Sequence, residues 1–488
     1  MDRQIRTLAF AFLALFAILF FQVNYIQVFA AKQLSNNPAN TRLLLEEFNV
    51  NRGEILARDE RTVLARSRAT GGKYKYLRVY PQGSLYAHIT GFHSVLLGRT
   101  DLESSMNEWL SGRASELLPE NLVDEILGRD KRGATVVTTI DAKLQKVAKQ
   151  ALGSLPGGVI ALDPRTGEVL AMVANPSYNP SLLASHNLSS VQSAWKTLSG
   201  DASKPLLSRA SQELFPPGST FKLVTAAAAL ENGMNPNTTF PNPPSLDLPQ
   251  TTHNLQNFGG EHCLGGASQL TIAQALQVSC NVVFGQIGLK LGAAKLVGQA
   301  QKFGFDEHVP FDIPFAEGQI PPAVNFKDQL PAVAFSAIGQ QSVGANPLQM
   351  ALVAEAIANG GVEMRPRLVR EIRDASGRVV KSFQPTPFGQ PITGKTAAEL
   401  TAMMVNVVQA GTGTAAQIPG IQVAGKTGTA QTSSGNPHAW FTAFAPANDP
   451  RIVVAVVVLN GGSLGSDATG GAVAAPIAKA VIEAALRS

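Results

Sequence analysis

The chain is poor in the residues that build metal and redox centres. It holds two cysteines and seven histidines in 488 residues. There is no Cys-x-x-Cys and no His-Glu-x-x-His, so neither a zinc site nor an iron–sulfur cluster is expected. Charge is scarce as well, at 15% of residues, and 40 basic against 35 acidic side chains leave a net +5. That is too small an excess for a nucleic-acid-binding chain. A phosphate-loop nucleotide site is likewise not expected, and no cofactor is. Hydrophobic residues reach 45%, enough for sizeable cores and against extensive disorder.

One long apolar run is present. Arg3 and Arg6 precede an uncharged stretch, Thr7–Ala31, whose centre from Leu8 to Phe21 is wholly apolar. About 20 helical residues cross a bilayer. Arginines on the N-terminal side hold that end in the cytoplasm, so the chain after Lys32 is expected outside a single-pass anchor in the cell membrane. A cleaved signal peptide is the alternative, but its apolar region is normally shorter, and Val28-Phe29-Ala30 is a weak cleavage site. Both readings export the remainder.

The expected organisation is a tip and anchor over 1–31, a β-rich pedestal over 32–155 and a larger domain over 156–488. Thr135–Ile140 reads as a strand, and Asp141 as the cap of a helix Ala142–Leu152. Val159–Asp163, a turn at Pro164-Arg165-Thr166-Gly167, and Glu168–Ala174 read as a hairpin. Helices are expected over Thr220–Glu231, Thr271–Gln277, Pro347–Asn359 and Ala397–Gln409. Strands return at Gln422–Gly425, Ala439–Ala445 and Ile452–Leu459, before a last helix, Ala472–Leu486. Strands, a helical middle, then strands and a helix make an α+β domain with an antiparallel sheet.

Three short motifs follow one another. Pro216-Pro217-Gly218-Ser219-Thr220-Phe221-Lys222 places Ser219 at a helix start and Lys222 one turn on, along the same face. A serine hydroxyl needs a base to become a nucleophile. Lysine serves only if burial or a nearby cation suppresses its charge. A second Ser-x-x-Lys, Ser193–Lys196, lacks the Pro-Gly entry and lies in a loop-like stretch, so it reads as chance. Ser279-Cys280-Asn281 follows by 60 residues. Ser-x-Asn also begins at Ser35, Ser105, Ser177, Ser185 and Ser434, but Ser279 alone closes a helical stretch. Its hydroxyl suits a proton relay and Asn281 suits a substrate amide, although a turn-forming Ser/Asn is the commoner meaning. Lys426-Thr427-Gly428-Thr429-Ala430, the single Lys-Thr-Gly, follows the strand Gln422–Gly425. Gly428 allows another backbone to approach. Lys426, Thr427 and Thr429 suit a terminal carboxylate, and Lys426 would also suppress the charge of Lys222.

Each motif alone is weak, but the ordered set in an exported chain is specific. On these residues the sequence resembles the penicillin-binding proteins. Arg52-Gly53-Glu54-Ile55, Gly98–Glu103, Thr138–Asp141, Gly339-Gln340 and Pro347–Ala351 extend the resemblance over nearly the whole chain after the anchor. The short N-terminal region resembles that of class B, monofunctional members, and the Ser-Cys-Asn triplet that of the actinobacterial branch. One departure is Gly339-Gln340-Gln341, where many relatives have Gly-Gln-Gly.

The resemblance implies a serine D,D-transpeptidase that crosslinks peptidoglycan and is acylated by β-lactams. Ser219 would be the nucleophile and Lys222 the base. Ser279 with Lys426 would relay the proton, and Asn281, Thr427, Gly428 and Thr429 would bind the D-Ala-D-Ala end. The backbone N–H groups of Ser219 and Thr429 would hold the oxyanion. A D,D-carboxypeptidase, using water as acceptor, is the alternative, and a serine β-lactamase a more distant one. The resemblance also implies docking to a membrane glycan polymerase of the RodA/FtsW type.

Cys263 and Cys280 both fall in the exported part, where a disulfide is permitted. They are expected to pair and to brace the loop Thr251–Gly266, with a loop-closure gain of about 3 kcal/mol.

Overall fold

The computed structural model describes residues 2–30, 46–117, 130–327, 329–432 and 435–487. Ser35, Ser434 and parts of the 32–155 segment lie outside the described residues. The apolar run forms a helix Asp2–Tyr25 of 24 residues, which at 1.5 Å per residue is long enough for a hydrocarbon core of about 30 Å. An 18-residue window of its span Arg3–Tyr25 has mean hydropathy 2.1 and is 0% buried. So much bare apolar surface belongs in lipid.

Two sheets organise the rest. The first has six strands in the order Val379–Ser382, Val369–Arg373, Thr135–Thr138, Ile55–Leu56, Val63–Ala69, Tyr76–Val79. Beside it the stretches around Arg52 and Gly98–Glu103, far apart in sequence, meet in one buried ion network. Glu103 takes the Arg52 and Arg78 guanidinium Nε atoms on its two oxygens, each at 2.6 Å. Arg52 also donates to Asn107 Oδ1 at 2.6 Å. Burial pushes the Glu103 carboxyl up, but Arg78 and Arg52 outweigh it and hold the group below the usual carboxylate range. Gly53 is required next to Arg52, since a Cβ there would stand 1.9 Å from the Ala134 carbonyl oxygen.

The second sheet has five antiparallel strands in the order Ala424–Ala430, His438–Ala445, Ile452–Val458, Gly157–Leu162, Val169–Asn175. Its strands alternate between two cores with period two. Ile452, Val454, Val456 and Val458 pack with the helices Ala142–Leu152 and Ala475–Leu486. Val453, Ala455 and Val457 face the core that holds Pro347–Ala358 and Gly394–Ala410. Coverage on both faces is why Ile452–Val458 is an unbroken apolar run. A helical subdomain, including Lys222–Glu231, Ile272–Gln277 and Asn281–Leu291, joins the edge strand Ala424–Ala430 through the turn Gly218–Phe221 and the helix Gly394–Ala410.

Chain order and spatial order diverge in two places. Helix Ala142–Leu152 precedes the expected boundary at 155 yet lies on the five-stranded sheet. The strands Val369–Arg373 and Val379–Ser382 complete the six-stranded one. Two local expectations are corrected. The stretch around Ser193 is a helix, Leu188–Gly200, whose cap Asn187 accepts from the Ser190 N–H. Val191 is buried, Ala194 and Leu198 pack against a cluster with Phe92 and Tyr178, and Ser193 and Lys196 stay exposed. Polar residues between these positions hid the period. Lys426-Thr427-Gly428 does not follow a strand but lies within one, Ala424–Ala430. Finally, Gly420–Thr427 does spell the letters of a phosphate loop. Lys426 and Thr427 sit in mid-strand rather than at a helix N-terminus, so the N–H cradle that motif needs is not formed.

Replacing Glu103 by Gln leaves two buried guanidinium groups short of countercharge. The expected cost is about 3–5 kcal/mol, read as a lowered midpoint in urea unfolding of the full chain in detergent. An unchanged midpoint would show that the network is not holding the six-stranded sheet together.

Candidate active site

The segment that bears Ser219 is pinned largely by its backbone. Ser219 lies in a short 3-10 turn, Gly218–Phe221, and the α-helix begins only at Lys222. This refines the expectation that Ser219 opens the helix. The Gly218 N–H donates to Gly339 O at 2.9 Å, and Trp440 Nε1 donates to Pro216 O at 3.0 Å. Gly218 has φ +53, and a Cβ there would meet Thr429 O at 3.0 Å. Glycine thus lets the turn lie directly against the Lys-Thr-Gly strand.

Ser279 occupies the corner between Ile272–Gln277 and Asn281–Leu291. It has φ 60, a left-handed conformation that costs a non-glycine residue about 1–2 kcal/mol. The corner brings Ser279 Oγ between two lysines. Lys426 Nζ donates to it at 2.8 Å, and Lys222 Nζ stands 3.3 Å away. Lys222 Nζ also donates to Ser279 O at 2.7 Å and to Asn281 Oδ1 at 2.8 Å. Lys426 Nζ reaches Thr427 O at 2.7 Å. Thr427 Oγ1 shares a hydrogen bond of 2.6 Å with Thr412 Oγ1.

Both lysines are fully buried. Burial and then the Lys426 charge push the Lys222 ammonium well below the usual lysine range. Burial brings Lys426 down to about 7. The geometry accommodates a neutral Lys222 as well as an ammonium donating to Ser279 O, Ser279 Oγ and Asn281 Oδ1. A neutral amine has two N–H bonds, and the two strong acceptors, Ser279 O and Asn281 Oδ1, use both. Its lone pair is then open to a hydroxyl proton.

Ser219, Ser279, Asn281, Thr427 and Thr429 line one cleft of about 1170 Å³. Gly428 lies beside it, where a Cβ would stand 2.9 Å from Pro217 O. Cys263 and Cys280 form a disulfide with Cα atoms 5.9 Å apart. It ties one wall of the cleft, Asn254–Leu264, to the residue between Ser279 and Asn281. Two contributors carried no sequence signal. Thr412 orients Thr427. Asn257 accepts at Oδ1 from the Asn281 and Val282 N–H groups, at 3.0 and 3.1 Å, and so caps the helix that starts at Asn281. An asparagine in a glycine-rich loop looks like any turn residue until the fold brings it to that terminus.

Comparison with known proteins identifies the class. Residues 157–483 match the penicillin binding protein transpeptidase domain, and residues 52–136 match the penicillin binding protein A dimerisation domain. The chain belongs to the penicillin-binding protein transpeptidases, in class B. It is 42% identical to the peptidoglycan D,D-transpeptidase PbpA of Mycolicibacterium smegmatis, covering 100% of this chain and 99% of the relative. It is 39% identical, over the same shares, to PbpA of Mycobacterium tuberculosis. Among solved structures, the ceftriaxone acyl-enzyme of penicillin-binding protein A from M. tuberculosis superposes with a TM-score of 0.86. That pair is 40% identical, covering 91% of this chain and 100% of the other. A penicillin G acyl-enzyme of the same protein gives 0.84, at 40% identity over 90% and 100% of the two chains.

If Lys222 acts as a neutral base and Lys426 as the cation that meets the drug's carboxylate, the second-order rate of acylation by benzylpenicillin depends on the charge of both. Lys426 loses its proton at about 7, so the rate is expected to fall as pH rises through that value. The apparent pKa belongs to the lysine pair. In Lys426→Arg, whose side chain stays charged, the falling limb disappears up to pH ~9. A wild-type profile flat through the same range would contradict the assignment.

Proposed function

We propose the following division of labour for the peptidoglycan D,D-transpeptidase reaction that this chain carries out. The observation that supports it is the buried chain Lys222–Ser279–Lys426, closed by Asn281, at the floor of the Ser219 cleft. Lys222, as a neutral amine, takes the Ser219 hydroxyl proton. Ser219 Oγ attacks the carbonyl carbon of the penultimate D-alanine in a stem peptide. The backbone N–H groups of Ser219 and Thr429 hold the oxyanion, a contribution of a few kcal/mol per donor. As the tetrahedral intermediate collapses, the C–N bond breaks, and the proton reaches the departing D-alanine through Ser279 Oγ, which Lys426 keeps oriented. Lys426, Thr427 and Thr429 receive the terminal carboxylate, Asn281 receives an amide of the donor, and Gly428 lets the donor backbone lie along the strand edge. An amine from a neighbouring stem then attacks the ester.

The same reading extends to the rest of the chain. The helix Asp2–Tyr25 anchors the protein with its N-terminus in the cytoplasm, so the catalytic domain faces the wall. The segment 32–155 acts as a pedestal and 156–488 as the transpeptidase domain, with the helix and hairpin exchanges described above stiffening the joint. The pedestal offers the docking surface for a RodA/FtsW-type glycan polymerase.

Mass spectrometry after incubation of the full chain with benzylpenicillin tests the core of this proposal. A stable mass gain on the Ser219 peptide, absent in Ser219→Ala and persisting for hours, is the expected result. Rapid loss of the adduct with hydrolysed drug would point to a β-lactamase instead.

A further inference from the structure

A second cavity, of about 560 Å³, opens beside the catalytic cleft. The polar residues that line it are Asp306, Gln319, Asn325, Gln329, Gln341 and Ser342. Gln341 lines both cavities, so the segment 339–345 that carries it borders both. That segment is fixed on both sides. Toward the nucleophile, Phe215 and Ala345 exchange two backbone hydrogen bonds of 2.8 Å, and Gly339 O accepts from the Gly218 N–H. Toward the second cavity, Gln319 and Gly344 exchange two more, at 2.8 and 2.9 Å. Two lining residues hold left-handed backbone without being glycine: Asp306 at φ 56 and Gln341 at φ 63. Such strain persists where surrounding structure imposes it and gathers at functional sites.

The chemistry of the walls differs from that of the donor cleft. Four carboxamides and a hydroxyl match the N–H and C=O groups of a peptide. Asp306 uses Oδ2 to accept from the Ile320 N–H at 3.2 Å. Among the described residues no cation pairs with its carboxylate. A donor stem ends in a carboxylate, which the lysine-rich end of the cleft suits and Asp306 would repel. The strand that suits Asp306 is a peptide with a free amino group.

We infer that this cavity is the acceptor subsite, where Asp306 and the neighbouring amides hold the amine-bearing stem peptide beside the Ser219 ester. The inference rests on the reading of Ser219 as the acylated residue. The bound ammonium loses one proton to solvent before reaction. The neutral nitrogen attacks the ester carbonyl carbon, a C–N bond forms and the bond from that carbon to Ser219 Oγ breaks. The amine's second proton passes through Lys222 to Ser219 Oγ. Asp306 pairs with the amine only while it is an ammonium and releases it on deprotonation, so Asp306 and Gln341 set the acceptor's position and take no part in the bonds that change.

The test separates acylation from acceptor use. The full-length protein in detergent is given a D-alanyl thioester as donor and a short lysine-containing peptide amide as acceptor, and the ratio of aminolysis to hydrolysis is measured. The benzylpenicillin acylation rate is measured in parallel. Asp306→Asn is expected to leave acylation within about twofold of wild type. It is expected to lower the aminolysis-to-hydrolysis ratio about tenfold and to raise the acceptor concentration for half-saturation. Normal acylation with an unchanged ratio overturns the subsite. Should Asp306→Asn lose acylation as well, Gln319→Ala, judged by the same two readouts, decides: a lowered ratio with normal acylation sustains the subsite, and any other result overturns it. Failure of the wild type to be acylated at Ser219 would instead sink the reading beneath the inference.

Discussion

Two lysine side chains buried around one serine hydroxyl are the constraint on which the rest of this structure depends. Lysine is a useful base only when its proton is easily lost, and here burial and mutual repulsion act together on Lys222. The arrangement is costly. It desolvates both side chains, and it holds Ser279 in a left-handed conformation. Both costs are met by the surroundings. The edge strand Ala424–Ala430 carries Lys426 into the interior, and the wholly packed helix Lys222–Glu231 does the same for Lys222. The corner at Ser279 is held by the Asn257 cap, the disulfide and the Lys222 hydrogen bonds.

The scaffold serves this site by close backbone approach more than by side-chain bulk. Gly218 and Gly428 bring the Ser219 turn against the sheet edge, and the alternation of Ile452–Val458 between two cores packs that sheet on both faces. The Arg52–Glu103–Arg78 network plays a corresponding part in the six-stranded sheet. It joins two sequence stretches that carry no catalytic chemistry but do carry part of the resemblance to the family. They are two halves of one buried charge cluster, and neither can change alone.

Much of this was legible in the sequence, for identifiable reasons. The hairpin Gly157–Asn175, the Asp141-capped helix and the last strands announce themselves through turn residues, caps and unbroken apolar runs. Ser219, Lys222, Ser279, Asn281 and Lys426 were found as ordered motifs. What escaped was whatever only the fold brings together. The helix Leu188–Gly200 has a narrow apolar face diluted by serines. The letters of Gly420–Thr427 match a phosphate loop that strand geometry forbids. Thr412 and Asn257 act on residues 15 and 24 positions away, across turns that no local pattern encodes. The exchange of a helix and a hairpin between the two sheets is equally invisible to a reading that proceeds along the chain.

The central claim is that Lys222 is an uncharged amine at neutral pH. Nζ-detected NMR titration of the full-length protein with isotopically labelled lysine, the signal assigned through Lys222→Arg, tests it most directly. The account predicts that the Lys222 resonance has the shift of a neutral amine at pH 7 and titrates well below the usual lysine value of about 10.4. A Lys222 signal that stays protonated through pH 9 would contradict it.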